Sequence, residues 1–181
     1  MASAFTHALI AAVISSAFWR PVSPVRFWVI GIACSVVPDL DVVGFGFGIA
    51  YGDILGHRGL THSLAFAVAL ATIAERLARG PAFSKRRWPD WWCFFIVTAS
   101  HGCLDAMTNG GLGVAFFSPI SNARYFFPWR PIRVSPIGLT SFFSERGLDI
   151  LRSEITWVWI PAAIFATLVL MLKVRRLEWK R

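Results

Sequence analysis

Apolar residues run along this chain in long blocks, separated by short polar or Gly/Pro breaks, and the blocks have the length of helices rather than strands. The first block spans Phe5 to Trp19 and stops at Arg20-Pro21. The second starts near Arg26 and stays apolar to Val37, where Pro38 interrupts it because proline has no amide donor. The Gly-rich run Gly44 to Gly48, followed by Gly52 and Gly56, predicts a loop or re-entrant segment. Thr61 or Ser63 is placed to cap a third helix that runs to Ala78, before Gly80-Pro81. A basic linker to Asp90 leads into a fourth helix, Trp91 to about Met107.

The pattern then changes. From Asn109 to Arg152 the chain carries Gly110-Gly111, several prolines, and five arginines with aromatics between them. This predicts an irregular excursion with short helices. A last apolar helix covers Ile155 to Leu172 and ends in Lys173-Val174-Arg175-Arg176. At 18 residues it is near the minimum for a bilayer crossing, and the first two are shorter than the usual ~20. The expected fold is all-α, with four or five membrane-embedded helices bundled around a metal site. It is one domain over 1–181: a metal-site core (1–115), the aromatic and basic excursion (116–154), and the C-terminal helix with its basic tail (155–181).

Composition supports the membrane assignment. Apolar residues make up 56% of the 181, mean hydropathy is +0.58, and nine Trp and sixteen Phe are in excess of ordinary soluble usage. The start of the chain lacks the basic segment of a secretory signal, so the first helix is expected to stay as an anchor. Cys34, Cys93 and Cys103 lie in apolar surroundings without CxxC spacing and read as inert thiols.

The net charge of +8 does not point to nucleic acid, because the cations flank the apolar blocks. Arg20 and Arg26, the run Arg76 to Arg87, and the tail from Lys173 to Arg181 fit one cytoplasmic face with consistent helix directions. His7 lies thirteen residues before Arg20, Asp39 thirteen after Arg26, His62 fourteen before Arg76 and His101 fourteen after Arg87. Each is then roughly 20 Å from the basic face at ~1.5 Å per residue. Four elements thus bring imidazoles and carboxylates to one level, toward the non-cytoplasmic side.

Ionisable residues inside a membrane are costly and point to function. His101 and Asp105 are four apart on a helix and share a face. Asp39 and Asp41 share a side if the segment after Pro38 is extended. His57 and His62 straddle a loop-to-helix junction. Nitrogen and carboxylate ligands without thiolate suit zinc, and also manganese or iron. Each residue also has a plainer role: His7 as a helix-end residue, Asp39 as a turn former, Thr61 and Ser63 as caps. Arg58 reads either as an anion holder or as the partner of Asp53 or Asp41. The glycine-phenylalanine alternation reads as a membrane-facing loop rather than a phosphate cradle.

Thr6-His7, Pro38-Asp39-Leu40-Asp41, His57-Arg58-Gly59-Leu60-Thr61-His62-Ser63 and the run from His101 to Gly110 resemble the inner-membrane, metal-dependent hydrolases of the YdjM/YbcI type. The resemblance covers residues 1 to 115 most specifically. It implies a helical, membrane-embedded hydrolase, with a more distant similarity to zinc-dependent phospholipase C and P1 nuclease. It further implies His101, Asp105, His62 or His57, Asp39 or Asp41, and His7 as ligands. Those enzymes also use downstream histidines, and no histidine follows His101 here, so one or two ions are expected rather than three.

The leading functional expectation is a hydrolase acting on a phosphoester, of a lipid or related substrate, through metal-activated water, with Asp39 or Asp41 as base. Membrane lipids are its expected partners. Arg124, Arg130 and Arg133, interleaved with Tyr125, Phe126, Phe127 and Trp129, read as a head-group surface or as interfacial anchors. The alternative is metal binding without catalysis, in transport, storage or a structural role.

Overall fold

The computed structural model describes residues 1–18, 25–79, 88–136 and 145–178. The Arg20-Pro21 stop, the Gly80-Pro81 break, the linker from 80 to 87 and the last tail residues lie outside the described residues. Helix α1 is Ala4–Phe18, α2 is Val25–Val36, α3 is Leu64–Arg79 and α4 is Trp88–Ala106. After the excursion come α5, Glu145–Glu154, a π-helical turn, Ile155–Trp159, and α6, Ile160–Glu178. Among the described residues there is no strand, only isolated bridges joining Thr108 to Ile132 and Val114 to Tyr125.

The apolar blocks became helices within a few residues of where the pattern placed them. Small residues let them approach closely. Ala11 of α1, Cys34 of α2, Ala71 and Ala74 of α3, and Cys93, Phe94 and Val97 of α4 form one buried cluster. A Cβ on Gly31 of α2 would come within 2.9 Å of Ser15 Oγ of α1, so this crossing needs glycine. Helix α4 packs against α1, α2 and α3, while α6 lies along α1. All three cysteines are free; Cys34 and Cys93 are buried and Cys103 is partly so.

Two segments depart from expectation. The Gly-rich stretch is a loop only in its second part: α2 continues into a 3-10 helix, Val37–Phe47, ended by Gly48 in the left-handed conformation (φ 78°), and turns follow to Gly59. Pro38 removes an amide from the helical ladder, and the glycines after it leave room for the tighter i, i+3 turn. The last helix also begins earlier, because α5 runs through the π-turn into α6. Pro161, just past that turn, withholds the donor that regular α-geometry would use.

Two stretches are long and apolar enough to cross a bilayer, Val25–Phe47 at 23 residues and Gly147–Arg175 at 29, and α1 is a shorter apolar helix. One end of the bundle gathers basic residues: Arg26 donates to the Leu77 carbonyl and Lys173 to that of Ser16. The four histidines, with Asp39, Asp41 and Asp105, lie at the other end.

Candidate metal centre

At that other end the start of α1, the end of α2, the turn before α3 and the end of α4 converge. Each contributes one or two acidic or imidazole side chains. Asp39 comes from the 3-10 helix, His62 from a short 3-10 turn (Leu60–His62), and His101 and Asp105 from α4. His62, His101 and Asp105 are buried, and Asp39 is 7% exposed.

Their ligand atoms stand within 4.8 Å of one another. His101 Nε2 is 3.0 Å from His62 Nε2 and 3.3 Å from Asp39 Oδ1. His62 Nε2 is 3.5 Å from Asp39 Oδ1 and 3.6 Å from Asp105 Oδ2. A tetrahedral ion with bonds of about 2 Å separates its ligands by roughly 3.3 Å.

The tautomers point the same way. His101 Nδ1 donates to the Ser35 carbonyl at 2.7 Å, and His62 Nδ1 lies 3.2 Å from Asp41 Oδ2. With both Nδ1 atoms engaged by acceptors, the Nε2 lone pairs face each other. Such a contact needs a cation between or on them, a proton or a metal ion. An imidazole held by an acceptor on its far nitrogen is the usual arrangement of a metal-ligating histidine. Both Asp39 oxygens are buried without a hydrogen-bond partner.

Charge completes the case. Asp39, Asp41 and Asp105 bring three negative charges, and Arg58, fully buried, returns one through Nε to Asp105 Oδ2 at 3.0 Å. The N-terminal ammonium also acts on Asp105, and a divalent ion would offset the acidic charge that remains on Asp39 and Asp41. Without one, burial alone would lower the His62 pKa, but Asp105, Asp39 and Asp41 outweigh it and raise it to about 10. The donor set therefore fits a divalent metal. Oxygen and imidazole donors without thiolate suit zinc, manganese or iron.

The other predicted residues have distinct places. Asp41 does not share a side with Asp39. In a 3-10 helix, residues two apart diverge, so the two aspartates bracket His62 from opposite ring nitrogens. Asp41 Oδ1 holds His57 Nδ1 at 2.7 Å, and Oδ2 accepts from Thr61 Oγ1 at 2.6 Å and from the Arg58 amide. His57 is thus behind Asp41, its Nε2 buried without a partner, and Asp41, His57 and His62 form a second group able to hold an ion. His7 stacks on His101 with ring centroids 3.7 Å apart, and its Nε2 is 3.5 Å from Asp105 Oδ1. Ser63 caps α3 through its Oγ, while Thr61 serves Asp41.

Arg58 holds a carboxylate, that of Asp105, and its backbone amide reaches Asp41; its guanidinium does not pair with Asp53. Besides Asp105, its guanidinium donates to Thr108 Oγ1 and the Gly110 carbonyl, and its backbone is left-handed (φ 64°). Gly111 lets it lie there: a Cβ at that position would meet Arg58 Nη1 and Tyr51 Oη, each at 2.7 Å. Arg124 donates to the carbonyls of His57, Tyr51 and Asp53, so it braces the loop. Arg130 lies over the Phe126 ring and Arg133 pairs with Asp149.

The reading from sequence missed Glu154. It is fully buried and accepts hydrogen bonds from Ser3 N, Ser3 Oγ and Thr6 Oγ1, capping the helix that carries His7. No local signal marks it, since Ser3 and Glu154 are 151 residues apart.

Fold and site together define a helical membrane protein with a buried aspartate–histidine cluster suited to a divalent ion. The chain belongs to the YdjM inner membrane protein family, whose model matches residues 1–179. It is 36% identical over 187 residues to the inner membrane protein YbcI of Escherichia coli (strain K12), covering 100% of this chain and 99% of that one. No solved structure matches it.

Proposed function

We propose that this chain is a multi-pass membrane hydrolase that uses a divalent ion, zinc, manganese or iron by its donor set, to cleave a phosphoester of a lipid or related amphiphile. The convergence of His62, His101, Asp39 and Asp105 ligand atoms within 4.8 Å, four of their separations being 3.0–3.6 Å, carries the reading. These four residues would hold the ion. When bound, it supplies Lewis acidity toward a phosphoryl oxygen and acidifies water.

The chain's own groups do the rest. Asp39 has a second oxygen free of hydrogen bonds, which takes the proton from an attacking water. Asp41 is filled by His57, Thr61, His62 and the Arg58 amide, so it orients His62 and does not act as the base. Arg58 holds Asp105 in place and offsets its charge.

A second reading is favoured by one observation, the near-complete burial of all four ligands: a metal kept for stability, without turnover. Metal analysis of the detergent-purified protein tests the common premise. About one divalent ion per chain is expected, lost in His101→Ala and Asp39→Asn; equal metal in all three would overturn both readings. Chelator-sensitive hydrolysis of phospholipids or phosphodiesters separates them, since the structural reading expects none.

A further inference from the structure

The surface above the cluster is apolar where a water-facing loop layer would be polar. From Val42 to Gly52, and again from Leu112 to Ala123, there is no charged residue. Phe47 is 82% exposed and Ile120 is 95% exposed. Ile54 and Phe117 are also open. Scattered exposed hydrophobics need no explanation, but these lie on two segments that Arg124 ties together through backbone carbonyls.

Arg124 is the joint. Its donors turn inward to the carbonyls of His57, Tyr51 and Asp53, and its guanidinium lies 5.7 Å from the centre of the Tyr51 ring. Phe45 stacks on Tyr51, and Phe117 meets the ring of Tyr125, next in sequence to Arg124. The one cation between the two loops therefore presents its charge to the protein interior, and Asp53 spends one oxygen on the Ala50 amide. The other outward side chains are mostly apolar, with Asp53 and Asn122 exposed among them.

Helix length gives an independent argument. Helices α1, α3 and α4 have 15, 16 and 19 residues. At ~1.5 Å per residue they reach roughly 22, 24 and 28 Å, short of the ~30 Å hydrocarbon core. The two longer stretches, Val25–Phe47 and Gly147–Arg175, suffice to cross, so the layer at the site-bearing ends of the shorter helices can supply part of the thickness they lack.

We infer that the loops 42–55 and 112–125 are set into one leaflet of the bilayer, with Phe47 and Ile120 among acyl chains. The occupant of this surface is phospholipid. Part of the layer's backbone is partnered internally, as hydrocarbon favours: Val114 and Tyr125 exchange both amide–carbonyl bonds, and Ala115 donates to the Arg58 carbonyl. The consequence for the site is direct. His57 lies edge-on to Phe45 and Tyr51, so the Asp41–His57 side of the cluster is roofed by this lipid-facing layer. A molecule approaching from that side arrives laterally, as a membrane-resident amphiphile. The inference rests on the membrane assignment, not on hydrolysis, so the loss of either leaves the other standing.

Nitroxide labels on Phe47→Cys and Ile120→Cys test it, each in the full chain with Cys103→Ser and reconstituted in phosphatidylethanolamine/phosphatidylglycerol vesicles. Cys34 and Cys93 are buried and do not compete for label. Both labels should collide several-fold more with oxygen than with a water-soluble nickel complex. Preference for nickel at either position puts that tip in water and overturns the inference. Shielding from both reagents would reveal a protein cover and overturns it equally. Both positions are exposed, so neither change disturbs packing, and retention of helical circular dichroism checks this.

Discussion

His62 gathers the most chemistry of any residue in the chain. One of its nitrogens faces Asp39, His101 and Asp105, and the other is held by Asp41. Asp41→Asn should keep the four ligands in place but weaken the hold on the ring. Metal affinity is expected to fall about 10- to 100-fold, measured by competition with a chromophoric chelator. Protons compete for the same position. With its pKa raised to about 10 in the metal-free fold, charged His62 adds stability that is fully present below about 6.5, the ordinary histidine value, and fades as pH rises through 10. Thermal melts of chelated protein across that window should decline with pH, while metal affinity should rise. Gly111 is the second sensitive residue. Alanine there combines a backbone of φ +88° with contacts on Arg58 and Tyr51, and should cost about 1–3 kcal/mol in denaturant unfolding.

Among the elements, α1 is positioned by a residue from the far end of the chain. Glu154 accepts from the free amide and hydroxyl groups of its first turn, and Trp159 Nε1 donates to Thr6 Oγ1 at 2.7 Å. Glu154→Ala strands these buried donors and should destabilise by roughly 1–3 kcal/mol. Since α1 carries His7, which stacks on His101, metal binding should weaken as well; equal affinity in variant and parent would detach α1 from the site. The helices themselves were legible because apolar blocks of 15 to 19 residues have few other folds. The 3-10 segment was not. Pro38 and the alternating glycines signal a break in α-geometry, but extended chain, loop and tight helix all satisfy them locally. Packing against the turn before α3 decides among them.

For the whole molecule, the clearest expectation is coupling between metal and fold. An ion bound to the native state alone adds stability by mass action. Chelator should lower the melting temperature of the purified protein, and readdition of zinc should restore it. His101→Ala should melt at one temperature with or without chelator; a chelator response in that variant would place the ion elsewhere. The gathering of acids and imidazoles at one end, away from the basic residues, was visible in their even distances from the flanking arginines. A helix converts sequence separation into depth at a constant rise, so spacing alone carries that information.

Linear order determined the helical blocks, the cations flanking them, and the convergence of His7, Asp39, His62 and His101. It could not say which atoms meet. Arg58 chose Asp105 over Asp53, the two aspartates took opposite nitrogens of His62, and Glu154 reached back across the chain to cap α1. These outcomes depend on helix rotation and close packing. Burial leaves each polar group only the partners that packing brings within reach, and no local pattern encodes which those are.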